Sequence, residues 1–457
     1  MTNTDALTRT FPLGPLQQQI WRFWQSNRSS SAYIMPEVYF FDGDFDVEAA
    51  RFALDETARR HESLRTTFHE RDSGVAQIVS PDPAHAPVEV LDLRGLPPAA
   101  QAERLEAAID ATANAPFDLA VRPPIRLTAI LLSQSRTGLV MAAHQIICDG
   151  TSMAIVLDDF GELYGSARRG TTPDLAPVSP GYGIFVTEQL AALADRAFGE
   201  ELAYWTERLA GTTGSVLPGD SSVVTGDPAA LDTYALATTL DTRLADAVSA
   251  YARRAGSTPF SILLAAMSVM IAAATATSDV SVGTATTSRT PRFARTVGML
   301  TNMVVHRSLI DLSGTFADAL AEVSLNLLDA IDYQDVPFSQ VTGDLCHGEH
   351  QPGADLVRMT FSAGASGGLT LGEGSLSERV IRTSQGPFDL SVTCDITASG
   401  IALDWQYALR AYSLELARGY CAAYQEILAA LLERPDKRMG LLGLTEILSR
   451  LAGVRVE

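Results

Sequence analysis

The stretch MAAHQIICDG, Met141 to Gly150, carries an apolar run into a polar cluster. His144 brings a ring that titrates near neutrality. Gln145 beside it offers one acceptor oxygen and two donor hydrogens but no proton-taking group. Asp149-Gly150 is turn chemistry, because Asp caps locally and Gly accepts unusual backbone angles. Thr151 and Ser152 can cap the helix that follows. A strand, a polar turn and a helix N-terminus in this order is a common setting for chemistry in mixed α/β chains. The competing reading is a satisfied core histidine beside a structural turn.

Other candidates are weaker. Gly364-Ala365-Ser366-Gly367-Gly368 matches G-x-S-x-G, but a nucleophile elbow needs a helix after the serine, and LTLGEGS will not form one. Asp158 and Asp159 lie in a helical stretch unsuited to a carboxylate pair, and Cys148 suits a small apolar gap. His347 and His350 sit in CHGEHQPG, which reads as a surface loop rather than a metal site. No glycine-rich phosphate cradle is present.

The elements that must position the cluster are legible as periodicity. IRLTAILLS and GLVMAAHQII read as apolar strands, and SMAIVLDDFGELYGSARRG as a helix. Upstream, PLGPLQQQIWRFWQ and DVEAARFALDETARRHES are amphipathic helices. FSILLAAMSVMIAAATA, preceded by Ser257-Thr258-Pro259, is expected to be a capped, buried helix rather than a membrane span. TTPDLAPVSPGYG, Thr171 to Gly183, is the best linker, and the strand–helix pattern restarts after it. Two α/β lobes are expected, residues 1–177 and 178–457.

The chain has 457 residues, 46% hydrophobic and 19% charged, which fits a globular protein of two or three lobes. Its formal net charge of -20 disfavours nucleic acid and anionic membranes as partners. Four scattered cysteines argue against a zinc site and a disulfide framework. A reducing cytoplasm is expected, and MTNTDALTRT does not read as a secretory signal.

HQIICDG resembles the H-H-x-x-x-D-G signature of the condensation domains of nonribosomal peptide synthetases, with the second histidine changed to Gln145. RRHESLRTTF, Arg59 to Phe68, is similar to the family's R-H-E-x-L-R-T-x-F motif. GPLQQQIWRFWQ, PFDLAVRPPIRLTAI, YWTERLAG, VGMLTNMVVHR, YQDVPFSQV and SQGPFDLSV match further family segments in order. The resemblance covers nearly the whole chain and implies a free-standing member, without adenylation or carrier segments. It implies an α/β fold of two chloramphenicol-acetyltransferase-like lobes arranged in a V with a central tunnel.

The resemblance also implies an activity: attack of an amine or alcohol on an acyl or aminoacyl thioester held by a carrier protein. The phosphopantetheine arm would be the substrate tether. No cofactor, metal or membrane is implied, and the protein is expected to be a monomer. His144, Gln145, Asp149 and Gly150 are the implied catalytic positions. Asp149 is implied to pair with Arg65, and Gly150 to offer a backbone N–H to the oxyanion. Asn302, Ser384 and Gln385 match tunnel-lining segments of relatives. Because Gln145 cannot act as a base, two alternatives stand beside acyl transfer. One is a degenerate module that binds a carrier protein or recruits a tailoring enzyme. The other is cyclisation or dehydration of a tethered intermediate. RTPRFAR, Arg289 to Arg295, is the densest basic segment, read as a solvated loop with carrier docking as the sharper option.

Overall fold

The structure, a computed structural model, describes residues 8–72, 74–81, 87–195, 198–220, 230–345, 356–364 and 368–454. Along the chain run β1 (Arg9–Pro12), α1 (Pro15–Ser26), β2 (Ile34–Asp42), α2 (Val47–Arg60), β3 (Thr66–Arg71), β4 (Gly74–Val79), β5 (Val88–Asp92), α3 (Pro98–Asn114), β6 (Ile125–Leu131), β7 (Arg136–His144), α4 (Gly150–Arg169) and α5 (Tyr182–Ala194). Then come α6 (Gly199–Arg208), β8 (Thr233–Thr239), α7 (Thr242–Ala255), α8 (Pro259–Thr275), β9 (Asp279–Thr287), β10 (Thr301–Leu309), α9 (Phe316–Asp332), α10 (Phe338–Leu345), β11 (Met359–Ala363), β12 (Ser375–Arg379), β13 (Leu390–Thr397), β14 (Gly400–Ala408), α11 (Leu414–Glu433) and α12 (Leu444–Ala452).

The chain divides into two compact units, but not at a single boundary between residues 177 and 178. One unit is Met1–Ala197 with Arg289–Thr301 and Ala365–Ser384; the other is Phe198–Ser288, Asn302–Gly364 and Gln385–Glu457. α5, which begins within the last residues of the expected linker, buries Tyr182, Phe185 and Val186 in the first unit's core. Two later segments return to that unit, one through ion pairs and the other as β12, which pairs antiparallel with β2. Such returns leave no mark in local periodicity.

The first unit holds a five-stranded sheet in the order β12-β2-β7-β6-β5 and a three-stranded sheet in the order β1-β4-β3. β7 lies at the centre of the larger sheet, antiparallel to both β2 and β6, and its eight residues from Thr137 to His144 are all buried. Its two faces pack into different clusters. Val140 joins Val38, Ile109 and Ile130, while Leu139 and Met141 join Tyr39, Phe41 and α4 residues such as Val156 and Phe160.

The second unit holds a six-stranded sheet in the order β10-β9-β11-β13-β14-β8. α8 is its central helix, with Ser261 through Ala274 buried, as the capped apolar stretch predicts. Thr258 supplies the cap by accepting from Ser261 N–H, and Pro259 fills the first turn. Among the described residues no single helix is long and apolar enough to cross a membrane.

Candidate active site

β7 ends where the apolar run ends. His144 N–H bonds the Pro124 carbonyl at 2.9 Å, and Gln145 N–H bonds the Tyr33 carbonyl at 2.8 Å. A 3-10 turn over Gln145–Ile147 follows, capped by the His144 ring, whose Nδ1 accepts from Ile146 N–H at 3.2 Å. From α1, Gln17 Nε2 donates to the Ile146 carbonyl at 2.8 Å and to Gln77 Oε1 at 3.2 Å. The turn is thus tied from three sides before any substrate enters.

The His144 ring is 4% exposed and lies edge-on to Phe117, with centroids 6.3 Å apart. Burial, then the nearby positive Arg126, push it down to about 3. It is a neutral imidazole, and the bond at Nδ1 assigns its proton to Nε2. Gln145 next to it is half-buried, and among the described residues its amide makes no hydrogen bond. Cys148 is fully buried and held up well above its ordinary range, first by burial, so it is a core residue and not a nucleophile.

Asp149 opens α4. Its Oδ1 accepts from Ser152 N–H at 2.7 Å, which is the helix cap, and from Arg289 Nη2 at 2.8 Å. Its Oδ2 accepts from Leu300 N–H at 2.9 Å. The ion pair is closed to water, with side chains 7% and 2% exposed. Ser152 completes the cluster: its hydroxyl donates to the Gly298 carbonyl at 2.8 Å and accepts from Gly298 N–H at 3.0 Å and Arg289 Nη2 at 2.6 Å. Gly150, the first residue of α4, is exposed, and among the described residues its N–H is unengaged.

The arginine that holds Asp149 is therefore Arg289 and not Arg65. Arg65 ends the 3-10 turn just before β3 and donates to the Ser80 carbonyl. RTPRFAR is likewise neither a solvated loop nor a free basic strip. Arg289 is internal, and Arg295 bridges Asp159 at 2.6 Å and Asp158 at 3.1 Å. Only Arg292, paired with Glu188 at 2.7 Å, is largely exposed. Asp159 is a hub that also takes Arg60 at 2.9 Å and His61 Nε2 at 2.8 Å. The signal for these pairs is present as acids on α4 and arginines after β9, but the pairing depends on the return of a distant segment.

The three expected tunnel contacts are not a set of free polar groups. Asn302, in the second unit, is buried with its amide fully used: Nδ2 donates to the Gln334 and Val336 carbonyls, both at 2.7 Å, and Oδ1 accepts from Phe338 N–H at 3.0 Å. It pins the YQDVPF loop. Ser384, in the first unit, donates from N and Oγ to Asn114 Oδ1 at 2.7 and 3.0 Å. Gln385, in the second, reaches Asp232 Oδ1 at 3.4 Å. Ser366, His347 and His350 lie outside the described residues. Among the described residues no cluster of His, Cys, Asp or Glu could hold a metal.

The sequence pattern of the condensation domain matches residues 8–447, and the chain belongs to that family. Among curated proteins it is similar to chondramide synthase cmdD of Chondromyces crocatus, 29% identical over 94% of this chain and 11% of that protein. It is also 26% identical to cyclosporin synthetase simA of Tolypocladium inflatum, over 98% of this chain and 3% of that one. The chain thus spans only a small part of the length of these synthetases. Among solved structures it resembles the X-domain from teicoplanin biosynthesis, with TM-score 0.81, 21% identity, and 96% and 98% of the two chains covered. The first condensation domain of the calcium-dependent antibiotic synthetase gives TM-score 0.81 at 20% identity, over 96% and 99%. These structures share the mixed α/β fold.

Proposed function

We propose that this condensation domain transfers an acyl or aminoacyl group from a carrier-protein thioester to an amine or alcohol. Gln145 positions the nucleophile and no side chain of the motif deprotonates it. The unengaged Gln145 amide, on a turn otherwise held rigid by hydrogen bonds, carries this reading. Its Oε1 can accept a hydrogen bond from the incoming amine, and the Gly150 N–H can donate to the oxygen that gains charge as the thioester carbonyl is attacked. Phosphopantetheine enters as the substrate's tether and not as a resident cofactor.

His144 is a poor base here. Its Nδ1 already accepts a backbone hydrogen, and burial disfavours its cation. General-base help is typically worth about 10²–10⁴-fold, whereas positioning can reach an effective molarity of about 10⁵–10⁸ M. A thioester is activated already, so a held amine can attack and release its proton to water. The buried Asp149–Arg289 pair acts on structure: it fixes the α4 N-terminus from which Gly150 projects.

The test is to incubate the protein with an acyl-loaded carrier protein and candidate amines, and follow the product by intact-mass spectrometry. Condensed product supports the reading. Tight carrier binding without turnover overturns it and favours a binding module, the role that Gln145 leaves open. A product that has lost water without gaining the amine overturns it in favour of cyclisation or dehydration.

A further inference from the structure

β2 is an apolar strand, IMPEVYFFD, with one charged residue in its interior, Glu37. The register places Glu37 opposite Met141 of β7, and Tyr39 opposite Leu139. On the other side, Glu378 of β12 lies opposite Tyr39. Paired residues share a face, and so do residues two apart, so Glu37, Tyr39, Met141 and Glu378 project from the same side of the sheet. Toward Phe41 and Leu376 this side is core. Toward Glu37 it opens: Glu37 is half-buried and Glu378 exposed. β7 ends at His144, three residues beyond Met141 and on the opposite side by this alternation, and the turn that follows brings Cys148 within reach of the Glu37 charge.

Among the described residues Glu37 makes no hydrogen bond or ion pair. The charged or titratable groups around it are Glu378 and Arg382 on the returning segment, Tyr39 on its own strand, and Cys148, which feels the Glu37 charge. Two carboxylates against one guanidinium leave the surroundings of Glu37 net negative. A carboxyl without a hydrogen bond in a half-buried strand costs stability, and the Arg382 charge offsets only part of that cost. Residues that break local consistency in this way concentrate where a ligand completes them.

We propose that Glu37 is a specificity carboxylate that binds a cationic side chain of the substrate, an ammonium or guanidinium, beside the HQIICDG turn. This rests on the acyltransferase reading above. The reacting amine must be neutral to attack, so the group held at Glu37 is a second, non-reacting one. Burial, then Glu378, push the Glu37 carboxyl up to about 7, while Arg382 pulls it down. The carboxylate form is the one that pairs with a cation, so recognition strengthens as pH rises through that value.

The full chain is titrated by calorimetry with lysyl- and norleucyl-pantetheine thioesters at about pH 6 and about pH 8, on either side of the Glu37 transition. The wild type is expected to prefer the lysyl compound by about tenfold at the higher pH, the size of one charge-assisted hydrogen bond, and by less at the lower. Glu37→Gln should bind both alike and keep the norleucyl affinity. Equal binding by the wild type, or a lysyl preference that survives in Glu37→Gln, overturns the proposal. Condensation product with no Glu37-dependent preference sinks this inference alone. A Glu37-dependent preference with no product sinks the acyltransferase reading while Glu37 keeps its cation.

Discussion

Arg289 Nη2 stands 2.8 Å from Asp149 Oδ1, and neither side chain has appreciable contact with water. The pair joins the strand-end turn to a segment that arrives from far along the sequence. Among the described residues the other hydrogen bonds of the Asp149 carboxylate come from backbone N–H groups, those of Ser152 and Leu300. Both oxygens of Asp149 are thus engaged by structure, with three hydrogen bonds and a burial that leaves it 2% exposed.

Arg289→Ala should strand a buried charge and cost about 3–5 kcal/mol, whereas Arg65→Ala should cost clearly less. Chemical denaturation of the two variants checks this. If Arg65→Ala proves the more damaging and Arg289→Ala is silent, the assignment of the pair is wrong.

Gly298 is packed so that an added Cβ would overlap the Tyr182 ring, whose hydroxyl bonds the Met299 carbonyl at 3.0 Å. Gly298→Ala should therefore destabilise by about 1–3 kcal/mol through overpacking. Gly298→Ala with Tyr182→Ala should recover part of the clash energy in a double-mutant cycle. Strict additivity in thermal melts would remove the clash as the cause.

His144 titrates far below its ordinary value in the folded chain, near 3, for reasons of burial first. In the unfolded chain it titrates at about 6.5. Its lowered value means that the neutral form stabilises the fold fully above about pH 6.5, and that this contribution drains away as pH falls toward the folded value. His144→Asn, which keeps a side-chain acceptor for the turn but does not titrate, should lose less melting temperature between neutral and acidic buffer than the wild type. An equal acid sensitivity in both proteins would count against it.

Gln145→Ala should slow product formation by more than about tenfold if its amide positions the nucleophile. Gln145→His should instead add a titrating limb to the pH–rate profile near about 6.5. The wild type should lack that limb and follow the nucleophile's own ionisation. A wild-type profile with an enzyme limb near neutrality would show that another group handles the proton.

The local part of this site is legible in the sequence. The apolar run announces β7 and its end, and Ser257-Thr258-Pro259 announces the buried α8, because each depends on neighbours within a turn or two. The α4 cap falls on Asp149 rather than on the Thr151-Ser152 pair expected to supply it. The partner of Asp149 is not legible in the same way. Arg65 sits in a matching motif, itself far from Asp149 in sequence, while Arg289 is set by tertiary return. Asn302 misleads for a related reason: a polar residue in a recurrent motif suggests substrate, yet its amide serves the loop around Val336. A boundary placed at the linker fails because composition marks where a chain is loose and says nothing about where it comes back.

That return has a consequence for the order in which the protein can be made. Asp149 leaves the ribosome 140 residues before Arg289. β2 waits longer still for β12, its edge partner. Until both have been synthesised, the nascent first unit holds an uncompensated carboxylate and an open sheet edge, the kind of surface on which chains pair wrongly. The unit that carries the HQIICDG turn is therefore first to begin and late to finish, and its completion is coupled to synthesis of much of the second.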